Sequence, residues 1–163
     1  MVRKGSSVRV RLRACRSGAG FLRDTARAMS QENVEVVRRI YDAVAAQPRD
    51  LDTVAELCHA DMTIQMRTEI PEGPIIFRGI EGATEIWDTL DSTFDEYRVE
   101  PIEIRAGDDC IAVHCRQSGR FAEGGTRVEG DIFHVWRFRD GKVVEMRHYS
   151  TRSEALEAAG LSE

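Results

Sequence analysis

Apolar residues recur every three to four positions at Val34, Val37, Ile40, Tyr41 and Val44, a spacing that predicts a helix over 31–46. Ser30 stands where a side chain would cap its first turn, Glu32 and Glu35 suit the positive end of the helix dipole, and Pro48 stops the run. Asp50 then caps a short second helix through Leu51, Val54, Ala55 and Leu57. The period changes to two over 62–67, a strand, followed by a Pro- and Gly-rich loop over 69–74 and a brief strand over 75–78. After Gly79 the helical period returns in Ile80, Ala83, Ile86, Trp87, Leu90 and Phe94, with Glu81, Glu85, Asp88 and Asp91 on the opposite side.

From Tyr97 the chain reads as four strands, 97–106, 110–121, 126–139 and 142–150, punctuated by Gly107-Asp108-Asp109, Gly124-Gly125 and Asp140-Gly141. Thr151-Arg152-Ser153-Glu154 fits a capping box for a last short helix that Gly160 ends. Helices gathered early and antiparallel strands joined by short turns predict an α+β domain with its helices on one face of the sheet.

The register of the last hairpin decides which side chains share a face, because a one-residue slip sends each to the other side. A two-residue Asp140-Gly141 turn would set Arg139 opposite Lys142 and Trp136 opposite Glu145. A three-residue turn over 139–141 sets Phe138 opposite Lys142 and separates polar from apolar more cleanly. The second register is the expectation. It gathers Ile132, His134, Trp136 and Phe138 with Val144, Met146, His148 and Ser150 on one face, and Asp131, Arg137 and Arg139 with Glu145, Arg147 and Tyr149 on the other. His134 then lies opposite Met146, and His134 and His148 become diagonal neighbours on a mostly apolar surface.

Charge divides the chain of 163 residues in two: residues 1–28 hold eight Arg or Lys against one acid, +7, leaving 15 bases against 27 acids, −12, on 29–163. The basic stretch is expected to be a disordered extension ahead of a domain over 29–163, since Met29-Ser30-Gln31-Glu32 has the form of a natural beginning. A transit peptide or a nucleic-acid arm is the competing reading of that stretch. The acidic domain argues against binding a phosphate backbone, and no apolar run is long enough for a transmembrane helix, so neither nucleic acid nor membrane is an expected partner. Cys15, Cys58, Cys110 and Cys115 are unevenly spaced with no secretory leader, which suggests reduced thiols and a cytoplasmic location.

Four segments together carry a family resemblance: Glu35 to Ala43, Phe77-Arg78-Gly79, the hairpin from Val135 to Val144, and Ser153 to Leu161. Over about 30–161 the chain resembles the SnoaL-like branch of the nuclear transport factor 2 superfamily. The resemblance implies a cone of strongly curved antiparallel sheet, with the three helices of the N-terminal half over its concave face and a short C-terminal helix. It also implies a deep pocket and homodimers formed through the convex face. Relatives include polyketide cyclases, ketosteroid isomerases and limonene-type epoxide hydrolases, so the fold alone does not choose a reaction. Tyr41 matches the tyrosine of the isomerases, whereas Met66 stands at their carboxylate base and His134 at their late acid. A thioether takes no proton at neutral pH, which disfavours isomerisation in that form. No inward Asp-Arg-Asp set supports epoxide hydrolysis.

The candidate chemistry therefore rests on His134 and His148 as general acid or base and on Tyr41 as the group holding a substrate oxygen. Trp136, Phe138, Met146, Met66, Trp87, Ile132 and Arg116 are candidate pocket-lining residues. The strand around Arg116 has apolar members in both alternations, so its face stays open, while His114 is expected outward and His59 on the surface. Two histidines without a third ligand at metal spacing predict no metal site, and no cofactor is called for. The expectation is a protein that binds a small, largely apolar organic ligand, with isomerase- or cyclase-like proton transfer. The alternatives are a non-catalytic binding or dimerisation module and an epoxide-hydrolase-like enzyme.

Overall fold

The structure is a computed structural model that describes residues 8–12, 20–66, 73–107 and 109–162. Its elements run β1 (Arg9–Leu12), α1 (Gly20–Ala45), α2 (Leu51–Leu57), β2 (Cys58–Met66), β3 (Ile75–Arg78), α3 (Gly79–Thr93), β4 (Phe94–Ala106), β5 (Cys110–Phe121), β6 (Arg127–Arg139), β7 (Lys142–Tyr149) and α4 (Arg152–Ala158). The fold is α+β with one curled sheet in the order β1-β4-β5-β6-β7-β2-β3.

The sheet is mixed, not wholly antiparallel as expected. β4 to β7 form the antiparallel meander, but β2 lies parallel to β7, with Ile64 beside Met146, and β1 lies parallel to β4, with Val10 beside Ile104. Local alternation identifies a strand without naming its neighbour, so the parallel joins were not visible in the pattern. Part of the stretch expected to be a disordered extension is thus an edge strand, and α1 starts at Gly20 and continues through Met29. Ser30 is consequently inside the helix and caps nothing; its hydroxyl donates to the Gly107 carbonyl at 3.3 Å. The Asp50 cap forms as expected, accepting from the Thr53 amide at 3.0 Å, and so does the Thr151 cap of α4.

Val37, Ile40, Tyr41 and Val44 of α1 and Val54 and Leu57 of α2 are buried against Ile64, Ile104, Ile111, Val113, Ile132 and Val143 of the sheet. Each large aliphatic side chain so removed from water contributes about 1.5–3 kcal/mol, which fixes α1 and α2 over the concave face. A second cluster occupies the convex face, where α4 lays Ala155, Leu156 and Ala159 on Cys110, Ala112 and Val135. At the mouth of the cone, Arg49 binds Asp91 of α3 through Nε (3.0 Å) and Nη2, reaches the Val44 carbonyl, and lies 4.1 Å over the Trp87 ring. That clamp ties α3 to the turn between α1 and α2 and sets Trp87 in the wall beneath.

The β6–β7 hairpin differs from both simple registers. Asp140 (φ 52°) and Gly141 (φ 75°) are both left-handed, the signature of a two-residue turn, and Arg139 pairs with Lys142 and Phe138 with Val143. The ladder then shifts, leaving Val144 as an extra residue, and resumes with Arg137 opposite Glu145, Trp136 opposite Met146 and His134 opposite His148. The bulge sits inside β7 and not in the turn, so Val143, fully buried, takes the core position expected of Val144. His134 faces His148 directly; the diagonal relation and the pairing of His134 with Met146 are both corrected.

Candidate functional site

Between the helices and the concave face lies a cavity of about 460 Å³. Its wall is overwhelmingly apolar: Ile40, Val44, Met62, Ile64, Leu90 and Val99 stand among its residues. Of the residues expected to line it, Met66, Trp87, Ile132, Trp136 and Met146 do so, together with Tyr41, His134 and His148.

Two expected lining residues do not. Phe138 packs on the core outside the cavity, since it pairs with Val143 beyond the bulge. Arg116 is on the convex face, where its Nε binds Asp131 (2.8 Å) and its Nη1 binds Glu129 (2.7 Å). His114 shares that outer face, 3.3 Å from Asp131 and stacked on Phe133. His59 is in β2, its Nε2 donating to the Arg139 carbonyl at 3.0 Å.

The polar part of the deep cavity is small and connected. Tyr41 on α1 reaches across to β6, its Oη 2.7 Å from His134 Nδ1, and the two rings lie nearly parallel with centroids 6.1 Å apart. Cys115, fully buried on β5, places Sγ 3.2 Å from the same Oη. His148 stands beside His134 with ring centroids 5.7 Å apart. Trp136 is edge-on to both Tyr41 and His134, and its buried Nε1 has no hydrogen-bond partner among the described residues; its dipole acts on the Tyr41 oxygen without reaching bonding geometry. The Tyr41 hydroxyl is therefore engaged within the protein and acts on the cavity through His134.

Burial governs the protonation of this group. Desolvation, and secondarily the neighbouring His148, pushes His134 down to about 3, so its imidazole is neutral at physiological pH. Desolvation likewise drives the Tyr41 phenol far above its ordinary value and lifts the Cys115 thiol to about 12, keeping both protonated. A second polar pair lies nearer the mouth, where the Tyr97 hydroxyl donates to Gln117 Oε1 at 2.8 Å.

Cys115, Tyr97 and Gln117 were not singled out from sequence. The signal for two of them lay in the β5–β6 ladder: Cys115 pairs with Ile132 and Gln117 with Gly130, which puts both on the His134 face. No group of three or more metal-ligating side chains occurs among the described residues. No helix among them is long and apolar enough to cross a membrane.

The fold has many solved counterparts. A candidate SnoaL-like polyketide cyclase from Jannaschia sp. CCS1 superposes with a TM-score of 0.65 at 22% identity, covering 89% of this chain and 96% of its own. IdmH of Streptomyces antibioticus, also described as a candidate polyketide cyclase, gives 0.60 at 23% identity, covering 79% and 99%. TerC, co-crystallised with polyporic acid, gives 0.63 at 21% identity, covering 78% and 97%. No curated protein sequence matches the chain. The family model described as the SnoaL-like domain matches residues 37–146, more than half of the chain, and the chain belongs to that family.

Proposed function

We propose that this chain binds a small, largely apolar organic molecule beneath the curled sheet and performs isomerase- or cyclase-like proton transfer on it. The observation that carries the reading is the cavity itself, about 460 Å³ of apolar wall with Tyr41, His134 and His148 gathered at one place. A pocket of this size and composition suits a ring compound whose hydrocarbon body fills the wall and whose polar end meets the histidines. TerC, which shares the fold and has been co-crystallised with polyporic acid, supports that choice of ligand.

The division of labour follows from the environments of the two rings. His134 is too strongly desolvated to accept a proton near neutrality, so it binds, and His148 moves the proton. A second reading, binding without chemistry, is favoured by one feature: the position that carries a carboxylate base in steroid isomerases is Met66, a cavity residue that accepts no proton. Partnership with a second copy through the convex face is part of the proposal, using the area around Arg116 and Asp131 beyond the α4 contact. Size-exclusion chromatography with light scattering tests it, and a monomer at micromolar concentration contradicts it.

The decisive experiment is a thermal-shift screen with cyclic ketones, aromatic polyketide mimics and epoxides on the wild type, His134→Ala and His148→Ala. A binder present at 100 times its Kd adds about 2.7 kcal/mol and raises Tm by several degrees, a shift that the variants should reduce. Absence of any stabilising compound would overturn the binding reading. Turnover surviving in His148→Ala would remove the assigned proton carrier.

A further inference from the structure

The hydrogen-bond chain behind His134 has a direction, and the direction selects a ligand chemistry. Tyr41 Oη has two hydrogen-bonded neighbours, His134 Nδ1 at 2.7 Å and Cys115 Sγ at 3.2 Å. Two proton orders satisfy that geometry. In one, the thiol donates to the phenol oxygen and the phenol donates to Nδ1; in the other, Nδ1–H donates to the phenol and the phenol donates to sulfur.

The first order matches strong donor to strong acceptor. A phenol is a better donor than a thiol, and an unprotonated imidazole nitrogen is a far better acceptor than a thiol sulfur. The separation agrees: 2.7 Å is the usual length for an O–H donor, whereas N–H donors to oxygen cluster near about 2.9–3.0 Å. With Nδ1 accepting, the one proton of the neutral ring is on Nε2, the nitrogen left for the cavity that His134 lines. The Trp136 indole, which can only donate, is directed at the Tyr41 oxygen and so leaves the phenol proton for Nδ1.

We propose that Cys115 and Tyr41 are positioning residues that lock His134 as the Nε2–H tautomer, making this end of the cavity a donor site for an acceptor-only oxygen such as a ring ketone, a quinone or the enolate formed from one. The assignment rests on the ligand-binding reading above and narrows it. An ammonium at the same place meets an N–H where it needs a lone pair. A ketone gains a hydrogen bond that strengthens as negative charge develops on its oxygen, which is the condition for drawing a proton from the adjacent carbon.

The first measurement uses the free protein and needs no ligand. Nitrogen-15 correlation spectra of the histidine ring in wild type should show His134 protonated on Nε2 and bare on Nδ1. In Tyr41→Phe, which removes only the hydroxyl, that signature should relax towards a mixture of tautomers. A wild-type His134 protonated on Nδ1 overturns the proposal outright, whatever binds.

The second measurement compares α-tetralone, tetralin and 1-aminotetralin, which share one hydrocarbon body. The ketone should bind about tenfold more tightly than tetralin, the worth of one neutral hydrogen bond, and its infrared carbonyl stretch should fall on binding. The amine should bind no better than tetralin. Tyr41→Phe should lose the preference for the ketone while keeping affinity for tetralin. If all three bind equally, the donor assignment fails and the apolar pocket stands; if none binds, the ligand-binding reading fails while the tautomer spectrum still judges the lock.

Discussion

Acid should unfold this protein earlier than its carboxylates alone would require, and His134 is the reason. The ring is 7% exposed, and desolvation holds its folded pKa at about 3, against about 6.5 in an unfolded chain. A group whose folded pKa is depressed binds fewer protons when folded, so the unfolded state gains protons first as pH falls. The burden on stability is nil well above pH 6.5, grows between pH 6.5 and 3, and is complete below 3. Across the full shift the burden approaches about 5 kcal/mol, and between pH 7.5 and 5 about 2 kcal/mol of it has accrued.

The upper window is the useful one, because Glu103, held low by Arg152, and Asp131, held low by His114 and Arg116, titrate below it. Urea denaturation of wild type and His134→Gln at half-unit steps from pH 7.5 to 5 isolates the term. The variant starts less stable, having lost the Tyr41 bond, but its stability should fall with acid about 2 kcal/mol less than that of the wild type. Parallel curves for the two proteins would refute the assignment of a neutral, desolvated ring at 134.

Three further outcomes are expected. Gly82→Ala puts a methyl 2.8 Å from Phe77 Cβ and 3.1 Å from its backbone carbon, so α3 must shift off β3; a loss of about 1–3 kcal/mol in urea denaturation checks it. Leu156→Ala empties the centre of the α4 contact on the convex face and should cost about 2–4 kcal/mol, measured the same way, with ligand affinity in the cavity unchanged. Cys58 and Cys115, both buried and raised to about 12, should resist a water-soluble thiol reagent at pH 8 until urea unfolds the protein, and fast labelling of either in native buffer would contradict their placement.

Much of the fold could be read along the chain because the signals are local. Val37, Ile40, Tyr41 and Val44 mark a helix by spacing alone, and the Asp50 and Thr151 caps are marked by residue type. The helix start at Gly20 was not legible, because Ser30 is a plausible cap wherever it falls and nothing local says that the helix already exists. The faces of His134, Trp136, Met146 and His148 came out right from a wrong register. The expected pairing and the observed one differ by two residues across the hairpin, and an even slip keeps every side chain on its face. Phe138 keeps its inward face as well but packs on the core outside the cavity, and Val144 is the bulge residue itself, yielding its expected core position to Val143. Arg116 was undecidable because Ile111, Val113 and Cys115 alternate with Cys110 and Ala112, and both sets are apolar since α4 covers the outer one. The Tyr41–His134 bond joins a helix to a strand 93 residues later, and such a contact has no local trace.

The extra residue at Val144 separates chain length from the choice of side chains that face the cavity. If Val144 took a paired place in the ladder instead of bulging out, the pairing that begins at Arg139 and Lys142 would continue unbroken, bringing Arg147 opposite His134 and turning Met146 and His148 to the outside. Deleting Val144 itself removes the bulge and leaves the observed pairs in place, Arg137 with Glu145, Trp136 with Met146 and His134 with His148. The hairpin accordingly carries one residue of slack: a single-codon deletion at the bulge keeps the inward-facing set, whereas straightening the strand at unchanged length swaps all of it.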